Sequence, residues 1–340
     1  MRYGFWLPVF GGWLRNVDDE GMEASWAYVR RLARRAEEIG FDLTLVAELN
    51  LNDIKGEEAP SLEAWSTAAA LAATTENLEI MVAARPTFHE PALLAKKAAN
   101  IDHISGGRLS VNVVSAWWKT EAEKFGIGFD AHDDRYARSG EWLSVVDRAW
   151  SEPSFSHDGR FYTVRDTVVE PKPVRSPRPT VWAGGESEAG KSFIAASCDG
   201  WLTHGDPPEV LAPKFEAMAE RRAGIGLPPL SFGVAGYAVV RDTQAEADAE
   251  VARITDVRRS ARGYANYRDW IENTKLERRM SIEDYSVSNR GLRTGLTGTP
   301  ERVARRIREI EAAGADLVLL QFSPQLEEME RFAEQVMPIV

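Results

Sequence analysis

One recurrence constrains the fold more than any other feature: eight short apolar runs, separated by stretches with helical spacing or turn residues. The runs are 3–9 (YGFWLPV), 42–48 (DLTLVAE), 78–84 (LEIMVAA), 108–115 (RLSVNVVS), 180–185 (TVWAGG), 200–205 (GWLTHG), 231–240 (SFGVAGYAVV) and 315–322 (ADLVLLQF). Near-continuous apolar strands are buried on both faces, which implies a parallel sheet covered by helices. The intervening segments supply the helices. Val29, Leu32, Ala33, Ala36 and Ile39 recur on one face, with Gly40 as the stop. Residues 61–75 read as helical from their alanine content, and Pro91 opens a helix carrying Leu94, Ala98 and Ile101. A helix starts at Ser187. Asp206 reads as the N-cap of another, with Pro207, Pro208 and Glu209 in its first turn. Thr243 and Glu246 form a capping box, Thr299-Pro300 caps the next helix, and a terminal helix follows the eighth strand.

Eight strand–helix units predict closure into a (β/α)8 TIM barrel, taken as one domain over residues 1–340. A bare barrel needs roughly 250 residues, so the chain carries a surplus in two insertions. Residues 151–179, before the fifth strand, contain FSHDGRFYTV, a hairpin with an Asp-Gly turn, and a proline-rich return. Residues 255–295, before the eighth, are rich in Arg and Tyr and read as a lid. A doubly wound open sheet is the alternative, but no G-x-G-x-x-G follows the first strand.

Composition narrows the function. A net charge of −11 argues against nucleic acid or a membrane surface as partner. No apolar run approaches the roughly 18 residues of a membrane span. The N-terminus lacks a signal-peptide pattern, so a cytoplasmic location is expected. The lone Cys198 excludes an internal disulfide and a Cys-based metal site, and is expected to pack between helix and strand. The histidines at 89, 103, 132, 157 and 204 are scattered, and no metal site is predicted.

Barrel active sites form where strands end. Those ends carry Glu48, Ala83 to Arg85, Asn112 to Trp118, Gly184 to Ser187, Thr203-His204, Tyr237 and Gln321 to Ser323. Glu48 and Glu121 could make a glycosidase pair, a weak signal. In GGESEAG, two glycines precede a helix start whose free N–H groups suit a phosphate, or else form a tight turn capped by Ser187. In HDDRYARSGEW, Arg135 and Tyr136 sit at a helix start. An arginine there opposes the helix dipole unless an anion balances it; a surface salt bridge to Asp133 or Asp134 is the simpler reading. Trp6 and Trp182 default to the core. Adjacent Trp117 and Trp118 do not both point inward, so at least one borders the mouth.

Together, IDHISGGRLSVNVVSAWWKTE (101–121), HDDRYARSGEW (132–142), GRFYTV (159–164), EPKPVRSPRPTVWAGGESEAG (170–190), GTPERVARRI and GADLVLL resemble the bacterial luciferase-like flavin monooxygenases. The closest likeness is to the two-component branch that includes the dimethylsulfone, alkanesulfonate and pyrimidine enzymes. The resemblance implies reduced FMN as cofactor, O2 as co-substrate, an NAD(P)H-dependent flavin reductase as partner, and a homodimer or homotetramer. It implies that Asn112 approaches the isoalloxazine edge and Glu121 lies at the flavin site. Arg135, Tyr136, Gly185, Glu186 and Ser187 would hold the phosphate and ribityl chain. Glu48 and Leu49 would lie beside the ring, and Ala83 would contact it through backbone. Arg290 matches a mobile-loop arginine and, with Tyr237 and His204, would position substrate. Tyr237 and Phe322 stand where alkanesulfonate enzymes carry histidine and tyrosine, and Phe10 ends the first strand. This more apolar mouth favours a small or less charged substrate. The implied reaction is oxygenation of a small sulfone or sulfonate, with C–S cleavage as one outcome. Alternatives are a pyrimidine-type oxygenase of N-heterocycles, an F420-dependent dehydrogenase and a non-catalytic flavin-binding barrel.

Overall fold

The computed structural model describes residues 1–115, 117–256, 267–273, 281, 284, 285, 287 and 291–340. Eight strands close a parallel barrel: β1 (Arg2–Trp6), β2 (Leu43–Val46), β3 (Glu79–Ala84), β4 (Leu109–Val113), β7 (Thr180–Ala183), β8 (Gly200–Thr203), β9 (Ser231–Tyr237) and β12 (Leu317–Gln321), in that order around the ring. β12 pairs back to β1 with Leu317 opposite Arg2. All eight predicted runs are therefore barrel strands, each shorter than its apolar run. Between β4 and β7, β5 (Phe155–Asp158) and β6 (Thr163–Thr167) form the expected antiparallel hairpin. The seventh run divides: after β9, Val239–Val240 becomes β10 and pairs outside the barrel with β11 (Thr297–Gly298).

Helices cover the ring: α1 (Trp26–Glu38), α2 (Ala64–Thr74), α3 (Pro91–Ser105), α4 (Lys119–Lys124), α5 (His132–Ser151), α6 (Glu188–Ser197), α7 (Pro208–Gly224), α8 (Gln244–Ile254), α9 (Tyr267–Asn273), α10 (Pro300–Ala312) and α11 (Gln325–Gln335). Their buried faces follow the sequence pattern; α1 buries Val29, Leu32, Ala33 and Ala36. The Thr243–Glu246 capping box forms. Asp206 does not cap α7, whose N-cap is Pro207. Its buried carboxylate turns instead to Lys214 Nζ at 2.9 Å and Arg293 at 3.0 Å. Two charged partners hold a buried carboxylate better than one backbone amide does.

Trp182 lies across the neighbouring strand at Gly200, where a Cβ would come within 2.3 Å of the indole. Only glycine leaves room for that ring in the core. Cys198 is buried between α6 and β8, and burial pushes its thiol pKa up. Among the described residues no helix is long and apolar enough to cross a membrane.

Candidate active site

The strand ends open onto a cavity of about 250 Å³. Leu45, Ala47 and Glu48 come from β2 and its loop, Ala83 and Arg85 from β3, Asn112 and Ser115 from β4, Gly184 to Glu186 from β7, Thr203 and His204 from β8, and Ala235 and Gln321 from β9 and β12. The site therefore stands at the rim the barrel rule selects.

One end is built by the starts of α5 and α6. Arg135 is buried, its guanidinium 4.5 Å over the Phe129 ring, and it donates to Asp130 O at 3.1 Å. Burial lowers its pKa against the attraction of Tyr136, Asp130 and Asp133. It makes no surface salt bridge to Asp134, which pairs with exposed Arg160. Tyr136 packs where a Cβ on Gly185 would stand 2.7 Å from its hydroxyl and one on Gly190 3.0 Å from its ring. Burial raises the Tyr136 pKa, opposed by a hydrogen bond with Ser187. Ser187 accepts from Gly190 N at 3.1 Å as the N-cap of α6, and it does not line the cavity. His132, Arg135, Tyr136, Gly184, Gly185 and Glu186 do. The cap and the cavity-facing glycines thus coexist in one motif.

The middle wall holds a cluster that sequence reasoning missed. Arg85 binds both Glu121 oxygens and lies 3.4 Å from Glu48 Oε2, while its own amide donates to that oxygen at 2.9 Å. Its guanidinium sits 3.7 Å over the Phe88 ring. The other Glu48 oxygen meets His89 Nε2. Asn50 N donates to Glu121 Oε1. Both carboxylates are thus engaged by one guanidinium, which removes the glycosidase reading. Glu121 is fully buried behind Arg85 and off the cavity wall, where it holds Arg85 in place. Arg85 itself lines the cavity. The available signal was an arginine directly after a wholly apolar strand, which demands a counter-ion.

Asn112 lies on β4 between Ala83 and Trp182 of the flanking strands. Its Oδ1 is buried without a hydrogen-bond partner. Such an atom on a cavity wall is an open acceptor for a bound donor.

The far end is aromatic: Trp6, Phe10, Trp13, Trp117, Trp270 and Tyr285. Trp117 stacks on Trp118 at 5.6 Å, and only Trp117 reaches the cavity, as adjacency implied. Trp13 is fixed twice. Its indole donates to Gln325 Oε1 at 2.7 Å, and its amide donates to the buried Glu20 carboxylate, which also takes Lys55 Nζ and Ser323 Oγ at 2.6 Å each. Tyr237 is not on the wall. It is fully buried, its pKa pushed well above the usual range chiefly by burial, and Gly291 backs onto its amide where a Cβ would stand 2.8 Å away. It stands behind the wall. His204, Leu49 and Ala83 do line the cavity. Arg290 and most of the expected lid lie outside the described residues. Among the described residues, no group of three or more His, Cys, Asp or Glu side chains could hold a metal.

The class is set by the fold and the position of the cavity: a (β/α)8 barrel whose rim cavity runs from an aromatic end to a glycine-lined helix junction. More narrowly, the chain belongs to the luciferase-like monooxygenase family, whose model matches residues 1–317. It is 32% identical over 359 residues to an FMNH2-dependent dimethylsulfone monooxygenase of Pseudomonas putida, covering 100% of this chain and 95% of the relative. A Pseudomonas fluorescens enzyme of the same name is 31% identical, covering 100% and 94%. A riboflavin lyase, solved with modified FMN and its substrate riboflavin, shares the fold with a TM-score of 0.85 at 23% identity, covering 100% of this chain and 91% of that one.

Proposed function

We propose that this chain is a monooxygenase that uses reduced FMN and O2 to oxygenate a small organosulfur compound. One observation carries the reading: the unpartnered Oδ1 of Asn112 faces a cavity running from an aromatic slot to the Arg135–Tyr136–Gly185 junction. A reduced isoalloxazine presents ring N–H groups, and Asn112 supplies the acceptor. Arg135 and Tyr136 hold the phosphate with help from the start of α6. Leu49 and Ala83 flank the ring, and Glu48, locked by Arg85 and His89, keeps its place beside it. The names of the two Pseudomonas relatives support both the cofactor and the substrate class.

Reduced flavin supplies the two electrons with which one oxygen atom enters the substrate and the other leaves as water. The chain's task is to orient the reactants and exclude water, and the aromatic end does the latter. A sulfone sulfur has no lone pair left to accept an oxygen atom, so oxygen enters at the neighbouring carbon. The resulting α-hydroxy sulfone collapses to an aldehyde and a sulfinate, breaking the C–S bond. A separate NAD(P)H-dependent reductase supplies the flavin.

The test has two parts. The double variant Arg135→Ala/Tyr136→Phe should weaken reduced-FMN binding at least tenfold; unchanged affinity would refute the phosphate assignment. Oxygen uptake should follow addition of sulfones when reduced FMN is generated enzymatically. Uptake with N-heterocycles alone, or turnover only with F420 and without oxygen, would replace the reading.

A further inference from the structure

We infer that the Arg15–Asp53 pair fixes the charge of the substrate, admitting an uncharged sulfonyl compound and turning away a sulfonate. The inference rests on the organosulfur reading above, but on residues that reading does not use.

Arg15 and Asp53 are both buried, and both line the aromatic end of the cavity. One Arg15 nitrogen meets the Asp53 carboxylate and another its carbonyl. Nε donates to Tyr285 O at 3.2 Å, and the guanidinium lies 4.0 Å over the Tyr285 ring. The Tyr285 hydroxyl reaches Asp53 Oδ1 at 3.5 Å. An arginine on a cavity wall is the usual means of holding an oxyanion. Here a carboxylate on the same wall cancels its charge.

The next arginine along the wall does not restore a positive field. Arg85 faces Glu48 beside it and Glu121 behind it. Among the described residues, Arg15, Asp53, Arg85, Glu48 and Glu121 sum to two positive and three negative charges. Arg135 stands at the other end, where it serves the cofactor tail. A sulfonate entering the aromatic end would shed its water and find no net positive charge among these residues to replace it. A sulfone exposes the same S=O acceptors without that cost. Its dipole can align with the ion pair.

Binding is read from the tryptophan fluorescence of the FMN-loaded protein, since Trp6, Trp13 and Trp117 line the cavity. The readout is the ratio of methanesulfonate to dimethylsulfone dissociation constants. In the wild type the sulfone should bind at least tenfold tighter. Asp53→Asn, which removes one negative charge at nearly constant shape, should move the ratio at least tenfold toward the sulfonate. Arg15→Gln/Asp53→Asn, neutral at both positions, should return it toward wild type, and it serves as the comparison if Asp53→Asn does not fold. Equal wild-type affinities, or a ratio insensitive to these charges, would overturn the inference. The binding ratio needs no turnover. A wild type that prefers the sulfone yet consumes no oxygen with either compound therefore sinks the functional reading alone.

Discussion

Two arginines in this barrel each face two carboxylates, and only their surroundings differ. Arg85 lies between Glu48 and Glu121, with side-chain exposures of 3%, 6% and 0%. Arg178 lies between Asp147 and Asp199, with exposures of 19%, 37% and 40%. The first cluster ties the ends of β2 and β3 to α4 at the cavity. The second ties the proline-rich return to α5 and to the residue preceding β8. In the dry cluster every charge must be matched by protein, so the residues lock one another into a single geometry. In the flank cluster water reaches Asp199 and part of Asp147, so each charge leans less on its protein partners. A cofactor site gains from the first kind of cluster because its wall cannot shift.

The largest expected effect contrasts the two directly. Arg85→Met strands two buried carboxylates and should cost about 3–5 kcal/mol of unfolding free energy. Arg178→Met, on the flank, should cost below about 1 kcal/mol. Urea denaturation of both variants measures the difference, and comparable losses would erase the distinction. A smaller effect sharpens it. Glu121→Gln keeps an acceptor for Asn50 N but gives Arg85 a neutral partner, and should cost about 1–3 kcal/mol. Because Glu121 does not touch the cavity, flavin affinity should fall only as far as Arg85 moves. A loss of flavin binding with stability intact would instead restore Glu121 to the site itself.

The same contrast explains what the sequence disclosed. The eight runs, the helix faces and the capping box are local patterns of two to four residues' spacing, and they were legible. So was the place of Asn112, Gly185 and Arg135 on the cavity wall, because each sits at a strand end or helix start. Arg85 was visible only as one residue of a strand-end list. Its partners lie 36 and 37 positions away and meet it only once the ring has closed. Arg15, Asp53 and Glu20 lie in loops whose contacts no periodicity encodes. Tyr237 shows a related limit: its place on a strand was legible, but not that the strand turns its side chain away from the cavity. Asp206 went wrong because a local capping rule competed with Lys214 and Arg293, which only the fold brings near.

The smallest effect separates the clusters by pH. Burial pushes Asp147 up to about 6, against the attraction of Arg178 and with repulsion from Asp199 added. Its Oδ1 is buried without a hydrogen bond, although Arg178 Nε stands 3.2 Å away. A carboxyl raised above its unfolded value of about 4 binds its proton more tightly when folded. Its contribution to stability is therefore complete below about pH 4 and is lost as the pH rises through about 6. Asp147→Asn removes the titration. The variant should gain stability relative to wild type between pH 4 and pH 6 and hold a constant lead above pH 7, with the size of the gain limited by the half-exposed position. Urea midpoints for the pair across that range test it. A difference that stays flat with pH would mean that Arg178 already compensates Asp147 in full. The flank cluster would then be as tightly matched as the one at the cavity, and exposure would no longer distinguish them.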